Sequence, residues 1–503
     1  MKRRNISGCL SILMAAAAIA ACNKPESPVT PSTEYNWSTD GGLNACDHIL
    51  FSAGKADPKG NEIGNGDQEF VFTGNQTLSK GTYILKGWVY IADGACLTIE
   101  PGTVIKGDKE TMASLIVERG GKLIAQGSQS EPIVFTSAEK AGERRPGDWG
   151  GVIICGKARN NQTEMIIEGG PRTKHGGEND ADNSGVLSYV RIEFGGYPYK
   201  ADKEINGLTL GSVGSGTKLD HIQVSYSNDD SFEWFGGCVN VDHIIAWKGW
   251  DDDFDTDNGF SGNVQFALAV RDSRIADASQ SNGFESDNCG DGAEVAPYTT
   301  ATFSNVTFVG PKLDASFENT SDYINGGELY PNNGSALGKF QSAMQIRRSS
   351  RLNCINSVAV GYPVGLILDN QKGDTQGYAG KGLIKLQNVW FAGMDVTGSD
   401  ANKCYEDVLV TGYDENSKPI YDKTQKSFSS TFFLSQSGNK ALEGWSDILS
   451  EDGYTPAAGS ALLSAASFEG TDGFTEVSYI GAVGQNDTWM EGWTEFDPEN
   501  AEY

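Results

Sequence analysis

The chain contains 503 residues, including 63 glycines, and carries a formal net charge of −28 at pH 7. A surface this acidic argues against binding to nucleic acid and against flat docking on anionic lipid. Because glycine and aromatic residues are plentiful and long helical periodicity is absent, the composition favours many short strands joined by frequent turns.

The N-terminal segment is typical of an exported bacterial lipoprotein. Three basic residues, Lys2, Arg3 and Arg4, precede an apolar run that is too short to span a bilayer. This combination predicts a secretory signal peptide over residues 1–21. Small residues stand before Cys22, which resembles the bacterial lipobox, whose cysteine is lipidated and becomes the mature N-terminus. We therefore expect a lipid-anchored protein of the outer membrane, displayed at the cell surface; ordinary cleavage beside an incidental cysteine is the alternative.

Internal repetition follows a tether at residues 22–40 that is rich in proline, serine and threonine. From about residue 69 the chain becomes a succession of short β-rich runs. The segment 220–233 recurs at an offset of 22 residues as 242–255, and a looser copy of its end lies 30 residues further on at 282–285. Units of this length suit the stacked coils of a β-helix, whereas a propeller blade needs roughly 40 residues or more.

The predicted fold class is therefore all-β, a right-handed parallel β-helix with N-terminal and C-terminal caps. The β-helix is predicted over residues 69–395, with 41–68 covering the first coil and 396–503 the last, because open solenoid ends expose strand edges. Stacking predicts an inward column formed by Leu208, Phe232, Phe254 and Phe284. It also predicts a turn whose short polar side chains bind the backbone of the neighbouring coil: Asn206, Asp230, Asp252 and Asn282.

Four longer motifs are spread over residues 70–500. They are Arg-Pro-Gly-Asp-Trp-Gly-Gly-Val-Ile at 145–153, Phe-Glu-Trp-Phe-Gly-Gly at 232–237, Asn-Gly-Phe-Glu-Ser-Asp-Asn at 282–288 and Trp-Thr-Glu-Phe-Asp-Pro at 493–498. In these motifs the chain resembles lipid-anchored right-handed β-helix surface proteins of the Bacteroides lineage, which are related in fold to pectate lyases. Members of that family mostly lack an assigned activity, so the resemblance implies fold and location more than function.

The segment between residues 228 and 288 is rich in carboxylates. If Phe254 points inward, the aspartates at positions 251, 253, 255 and 257 point outward. Carboxylates stacked at the strand spacing of ~4.8 Å repel one another unless a cation bridges them, a basic partner covers them or they become protonated. Oxygen ligands favour a hard ion, so calcium is the predicted cofactor. The predicted ligands are Glu233, Asp253, Asp255, Asp257, Glu285 and Asp287.

Two aromatic residues, Phe235 and Trp250, are predicted to be exposed beside these acids and to bind a ligand. Sugar rings stack on aromatic faces while their hydroxyl groups bind carboxylates, so this combination suits a glycan. Packing in the core, the commoner position of a tryptophan, is the alternative.

The acids have two other interpretations. A charge-rich outer face is often simply solvated. A lyase needs a base near its calcium, and Arg347 and Arg348 are candidates. However, we expect them two or more coils away from the acids, and ordinary ion pairing explains them at least as well.

His221 and His243 occupy equivalent positions in the repeat, so a turn or ladder role is their simplest account. The chain contains neither H-E-x-x-H nor G-x-S-x-G.

Three functional hypotheses follow. The leading one is a non-catalytic surface binding module for a glycan, or for an outer-membrane uptake complex with a transport protein as partner, with calcium at the acidic face. The second is a calcium-dependent polysaccharide lyase or hydrolase, and the third is a structural or adhesive scaffold that contacts other proteins.

The seven cysteines after Cys22 are far apart, odd in number and without C-x-x-C spacing, which argues against a zinc site.

Overall fold

The β-rich runs of the sequence form short strands in the structure, a computed structural model, because β-branched and aromatic residues alternate there between turns at glycine, asparagine and aspartate. The structure describes residues 61–162, 165–167, 171, 174–200, 203–326, 338–395, 410–416, 419–421 and 427–503. The predicted signal peptide, Cys22, the tether and residues 41–60 of the predicted N-terminal cap lie outside these ranges.

The strands in the first part of the chain are β1 (Glu62–Gly64), β2 (Phe70–Phe72), β3 (Asn75–Leu78), β4 (Thr82–Lys86), β5 (Trp88–Ile91), β6 (Cys96–Ile99), β7 (Val104–Gly107), β8 (Ser114–Val117), β9 (Lys122–Gln126), β10 (Ile133–Ser137), β11 (Gly151–Cys155), β12 (Met165–Ile166), β13 (Lys174–His175), β14 (Gly185–Glu193), β15 (Pro198–Lys200) and β16 (Lys203–Glu204). The later strands are β17 (Leu208–Gly211), β18 (Lys218–Ser225), β19 (Phe232–Phe235), β20 (Val241–Trp247), β21 (Phe254–Asp257), β22 (Asn263–Val270), β23 (Phe284–Ser286), β24 (Thr302–Val309), β25 (Ser342–Ile346), β26 (Asn353–Val360), β27 (Val364–Leu368), β28 (Leu386–Ala392), β29 (Val410–Tyr413), β30 (Pro419–Tyr421) and β31 (Lys440–Leu442). The helices are α1 (Thr375–Gly380) and α2 (Phe428–Ser435), with 3-10 turns at Lys109–Thr111, Pro311–Leu313 and Ala461–Ser464.

Two large parallel sheets hold most of the strands that the structure describes. The small sheet has 10 strands in the order β2-β5-β8-β11-β17-β19-β21-β23-β25-β27, and the large sheet has 15 strands running from β1 to β31. Neighbours in each sheet are parallel and come from successive turns of the chain. This is the coil-on-coil arrangement of a parallel β-helix, so the predicted fold class is confirmed. The strands extend from Glu62 to Leu442, beyond the predicted limits of 69 and 395.

The sequence offset of 22 residues is one coil of the solenoid. Phe232 pairs with Phe254 in the small sheet, and Asp220 pairs with Asp242 in the large sheet. The predicted inward column is confirmed and extends along the whole small sheet. Its buried members are Phe70, Val89, Leu115, Val152, Leu208, Phe232, Phe254, Phe284, Met344 and Leu366. Burying each large apolar side chain contributes about 1.5–3 kcal/mol, so this column is a major source of stability.

A ladder of short polar side chains joins the coils before the small-sheet strands. Asp230 Oδ1 accepts a hydrogen bond from the backbone N–H of Asp252 at 2.9 Å, and Asp252 Oδ1 accepts one from the backbone N–H of Asn282. Asn282 Oδ1 continues the pattern by accepting from the backbone N–H of Ser342 at 3.1 Å. The predicted bonding to the backbone of the next coil is thereby confirmed for Asp230, Asp252 and Asn282, and we call these three residues the polar ladder. It is wrong for Asn206, whose Oδ1 has no partner among the described residues and whose Nδ2 donates to the Glu233 side chain instead.

Each long strand of the large sheet bends at one residue with positive φ. β9 and β10 pair with the two halves of β14, and the pairing skips Tyr189 at their junction. The junction residues, which we call the bend column, are Tyr189, His221, His243, Phe266, Asn305, Asn356 and Asn388, with φ between 49° and 57°. Their side chains stack: the ring centroids of Tyr189 and His221 are 4.3 Å apart, and those of His221 and His243 are 4.6 Å apart. The ladder role predicted for both histidines is confirmed.

The C-terminal part of the chain does more than cover the last coil. Helix α2 packs on β27, but residues 443–503, which we call the strap, return along the outer face of the large sheet. Gln265 accepts a hydrogen bond from the backbone N–H of Thr475 at 2.8 Å, and Gln223 accepts one from that of Glu495 at 2.9 Å. In an earlier coil, Arg144 donates hydrogen bonds to the backbone carbonyl groups of Pro498 and Ala501 in the strap, at 2.7 and 2.8 Å.

The polar ladder makes a testable contribution to stability. Asn282→Ala removes the acceptor of the buried Ser342 amide, and an unsatisfied buried amide costs about 1–3 kcal/mol. We expect the free energy of unfolding, measured by denaturant titration, to fall by that amount. Asn416→Ala, at an exposed position, is the control and should change stability by less than ~0.5 kcal/mol. Equal effects of the two substitutions would contradict this account.

Candidate cation-binding site

The acidic residues of the sequence come together on the outer face of the small sheet. β19 and β21 are neighbours, so Glu233 lies opposite Asp255, and β23 places Glu285 next in the same line. These three side chains point away from the inward column because side chains alternate along a strand. The predicted outward column is confirmed for these three residues.

Aspartates that stand shortly before the strands complete the group. Asp230, Glu233 and Asp255 each place a carboxylate oxygen within 4.8 Å of the other two, and Asp229, Asp230 and Asp251 do the same. Asp230 belongs to both sets, so five carboxylates form one continuous group, which we call the acidic cluster. The sequence predicts two of them as metal ligands and misses the other three, whose signal is their equivalent position before β19 and β21.

Two members of the acidic cluster are almost completely buried, and the other three are partly exposed. Asp230 is only 8% exposed and Glu233 only 7%. Burial raises the pKa values of Asp230 and Asp255 well above the ordinary range, and the negative charges of neighbouring carboxylates raise them further. In the adjoining polar ladder, burial and the charge of Asp255 raise the pKa of Asp252 to about 8. Near neutral pH such groups either hold protons or are stabilised by a cation.

Two neutral side chains add oxygen atoms to the same place. Asn206 Oδ1 and Thr209 Oγ1 are buried and have no hydrogen-bond partner among the described residues. Asn206 donates through Nδ2 to Glu233, and Thr209 lies opposite Glu233 in the neighbouring strand. Buried oxygens without partners beside carboxylates are the kind of ligand that a hard cation uses.

Arginines bound the acidic cluster on one side. β25 pairs directly with β23, so Arg347 lies one coil from Glu285, to which it donates a hydrogen bond. Arg347 Nε is 2.9 Å from a carboxylate oxygen of Asp287, and Arg348 Nη1 is 2.6 Å from the other. The expected separation of two or more coils is wrong for the predicted ligands Glu285 and Asp287, because β23 and β25 belong to successive coils, whereas Asp255 of the acidic cluster lies two coils from Arg347. The predicted ligands Glu285 and Asp287 therefore bind guanidinium groups.

Asp253 does not point outward with Asp255, so this part of the predicted ligand set is wrong. It precedes β21, where the alternation of the strand does not yet apply, and it is fully buried. Its Oδ1 is 2.9 Å from Arg271 Nη1, and the Tyr362 hydroxyl donates to its Oδ2 at 3.3 Å. Asp257 is half-buried and alternates with the inward residues of β21 as predicted, but it belongs to neither carboxylate set of the acidic cluster.

Phe235 and Trp250 are buried, and the prediction that they are exposed is wrong. Phe235 packs near His175, at a ring-centroid distance of 6.1 Å, and His175 belongs to the insertion between β11 and β14. Trp250 is fully buried in a cluster with Phe194 and Tyr226. Segments inserted between the strands cover both rings, which local alternation cannot reveal. Neither side chain offers a face on which a sugar ring could stack.

The raised pKa of Asp252 predicts that stability depends on pH. A carboxyl group with a folded-state pKa near 8 binds more protons in the folded than in the unfolded state, so stability falls as pH rises from about 4 to 8. Asparagine stands at the equivalent ladder position in other coils, so Asp252→Asn should keep the ladder and flatten this dependence. In chelator, we expect the variant to gain on the order of 1–3 kcal/mol over wild type at pH 8.

Denaturant unfolding at pH 5 and pH 8 measures this difference. Asp93→Asn, at an exposed position on another coil, is the control and should leave the pH dependence unchanged. If the stability of Asp252→Asn changed with pH as much as that of wild type, Asp252 would already be ionised in the folded protein without destabilising it.

Comparison with known proteins agrees with the fold. No curated protein matches the chain. The crystal structure of the Dettilon tailspike protein is similar to it with a TM-score of 0.25 and 11% identity, over 68% of this chain and 61% of that one, so the chain spans about three fifths of the tailspike's length. The family described as the pectate-lyase-like beta helix domain matches residues 71–446, which include most strands of both sheets and the acidic cluster. The chain belongs to the pectate-lyase-like beta helix domain family.

Proposed function

We propose that the protein is a calcium-dependent binding module in which the acidic cluster holds the calcium ion. The observation that carries the proposal is the pair of overlapping carboxylate sets around Asp230, buried beside the oxygens of Asn206 and Thr209 that have no partner among the described residues. A buried group of like charges destabilises the folded chain unless an ion compensates it. A bound cation therefore accounts best for a cluster of this kind.

Calcium suits the donor set better than other common metals. It takes about six to eight oxygen ligands in flexible geometry. Asp230, Glu233 and Asp255 supply carboxylates, and Asn206 and Thr209 supply neutral oxygens. The set contains no nitrogen or sulfur ligand, which disfavours zinc and copper. When bound, the ion would compensate the negative charge of the cluster and leave part of its coordination shell for a ligand.

The partner that this site suits is an acidic glycan whose carboxylate and hydroxyl oxygens complete the calcium shell. Because Phe235 and Trp250 are buried, a sugar ring cannot stack on them. We therefore propose that the glycan is recognised through coordination of its oxygens to the calcium ion. The net charge of −28 repels a polyanion when no cation is present. Binding should therefore depend sharply on calcium. A component of an outer-membrane uptake complex, such as a transport protein, is the alternative partner.

Calorimetric titration with calcium tests the site. We expect wild-type protein to bind calcium and the Glu233→Gln/Asp255→Asn double variant to bind it more than about tenfold more weakly, because two charged ligands are lost. Asp93→Asn is the control and should bind as wild type does. Oligomers of a uronic acid should then bind only when calcium is present. Absence of calcium binding in wild type, or equal binding by the double variant, would refute the proposal.

A calcium-dependent lyase or hydrolase is the second candidate, and the position of Arg347 favours it. The guanidinium lies two coils from Asp255 of the acidic cluster, on the same outer face, and burial together with the charge of Arg348 lowers its pKa, as a base for proton abstraction requires. The same uronate samples distinguish the two functions after prolonged incubation. Unsaturated or shortened products indicate an enzyme, whereas unchanged oligomers that remain bound indicate a binding module.

We also propose that a lipid on Cys22 anchors the protein to the outer membrane, with the body at the cell surface. The basic start, the short apolar run and the small residues before Cys22 support this location. In the described part of the chain, no helix is both long and apolar enough to cross a membrane.

Fractionation of cells tests the anchor. Cys22→Ala removes the lipidated thiol, so we expect the protein to move from the membrane fraction to the soluble fraction. Cys9→Ala, within the same apolar run, is the matched control and should leave the protein on the membrane. Protease treatment of intact cells then reports whether the body is at the surface. Membrane association that persists in Cys22→Ala would contradict a lipid anchor at this residue.

A further inference from the structure

The bend column brings two histidines together on the face opposite to the acidic cluster. His221 and His243 lie one coil apart with nearly parallel rings, at a centroid distance of 4.6 Å and an angle of 9°. Both are partly exposed, with 17% and 24% of their side chains accessible. One ligand atom of each histidine and a carboxylate oxygen of Asp242 all lie within 4.8 Å of one another.

Carboxylates orient both imidazole rings. Nδ1 of His221 is 2.9 Å from Asp220 Oδ1, and Nδ1 of His243 is 2.5 Å from Asp242 Oδ1. A carboxylate beside one ring nitrogen holds the proton there and leaves the lone pair on the other nitrogen, which is the arrangement found in metal-binding histidines. Asp242 is 53% exposed, so its carboxylate can turn away from Nδ1 of His243 toward an ion held by the two rings.

The surroundings leave room for an ion and its remaining ligands. A cavity of about 350 Å³ opens beside His243 and Asp242, between the large sheet and the strap, and Gln265 and Thr475 also line it. Trp489 of the strap lies across the His243 ring at a centroid distance of 5.2 Å. The site is thus covered on one side and open on the other.

We propose that His221, Asp242 and His243 form a second metal site, for a borderline divalent cation such as zinc, with water or a ligand from the cavity completing the shell. Two imidazoles and one carboxylate are a typical donor set for zinc and a poor one for calcium. Zinc ligand atoms stand roughly 3.4 Å apart at bond lengths of about 2.1 Å, and the ligand atoms here lie within 4.8 Å of one another, so side-chain adjustments bring them to bonding positions. The spacing of the cysteines argues only against a zinc site built from cysteines, and this set contains none.

The bend column supplies the matched variants that separate a metal site from a purely structural stack. Tyr189 and Phe266 flank the two histidines in the same column, so His221→Phe/His243→Phe keeps the stack of rings and removes both nitrogen ligands. Asparagine stands at the same bend in three later coils. His221→Asn/His243→Asn is therefore a second variant for use if the phenylalanine variant does not fold.

The experiment is calorimetric titration of the purified, untagged full chain with zinc chloride, in saturating calcium so that the acidic cluster does not contribute. We expect one zinc per wild-type chain and quenching of tryptophan fluorescence when copper replaces zinc beside Trp489. Either double variant should lose both signals, and Asp242→Asn should bind zinc more than about tenfold more weakly. Asp93→Asn should bind zinc as wild type does. Lack of zinc binding by wild type, or binding retained in a folded double variant, would overturn the proposal.

Discussion

Parallel pairing between successive coils is the constraint on which the rest of the molecule depends. It places residues of equivalent position above one another at a spacing of ~4.8 Å, so each side chain directly contacts the equivalent side chain of the next coil. Apolar residues paired in this way form the inward column from Phe70 to Leu366. The polar ladder and the bend column follow from the same register. Each functional feature proposed above is likewise a column, read across coils rather than along the chain.

The same register that stabilises apolar residues concentrates like charges. Glu233 cannot move away from Asp255 without breaking the pairing of β19 and β21. Nearby, arginines compensate the acids, as Arg271 does for the buried Asp253 and Arg347 for Glu285. Around Asp230, by contrast, the charges that act on its carboxyl group are those of other carboxylates. Asp255 and Asp251 of the same cluster feel the charges of Arg347 and Arg271, but burial and the neighbouring carboxylates still raise the pKa values of both.

The sequence predicts what repeats and fails where the chain departs from the repeat. The offset of 22 residues is sufficient to predict the column of Phe232 and Phe254 and the outward acids beside them. Asp253 and Trp250 lie outside strands, where alternation has no meaning, and their contacts come from other segments. The position of Arg347 depends on how many coils an insertion contains, which its length does not reveal. The paired histidines are visible as a repeat, but only the structure shows the cavity beside them.

The strap changes what kind of folding unit the solenoid is. In a simple solenoid each coil touches only its neighbours, so one end can open while the other stays closed. Here the strap binds Arg144, Gln223 and Gln265, which belong to coils far apart in the stack. The earlier coils therefore gain these contacts only after the strap has been synthesised, and opening any of these coils disturbs the segment that holds the others. The strap thereby makes a stack of coils fold and unfold as one cooperative unit.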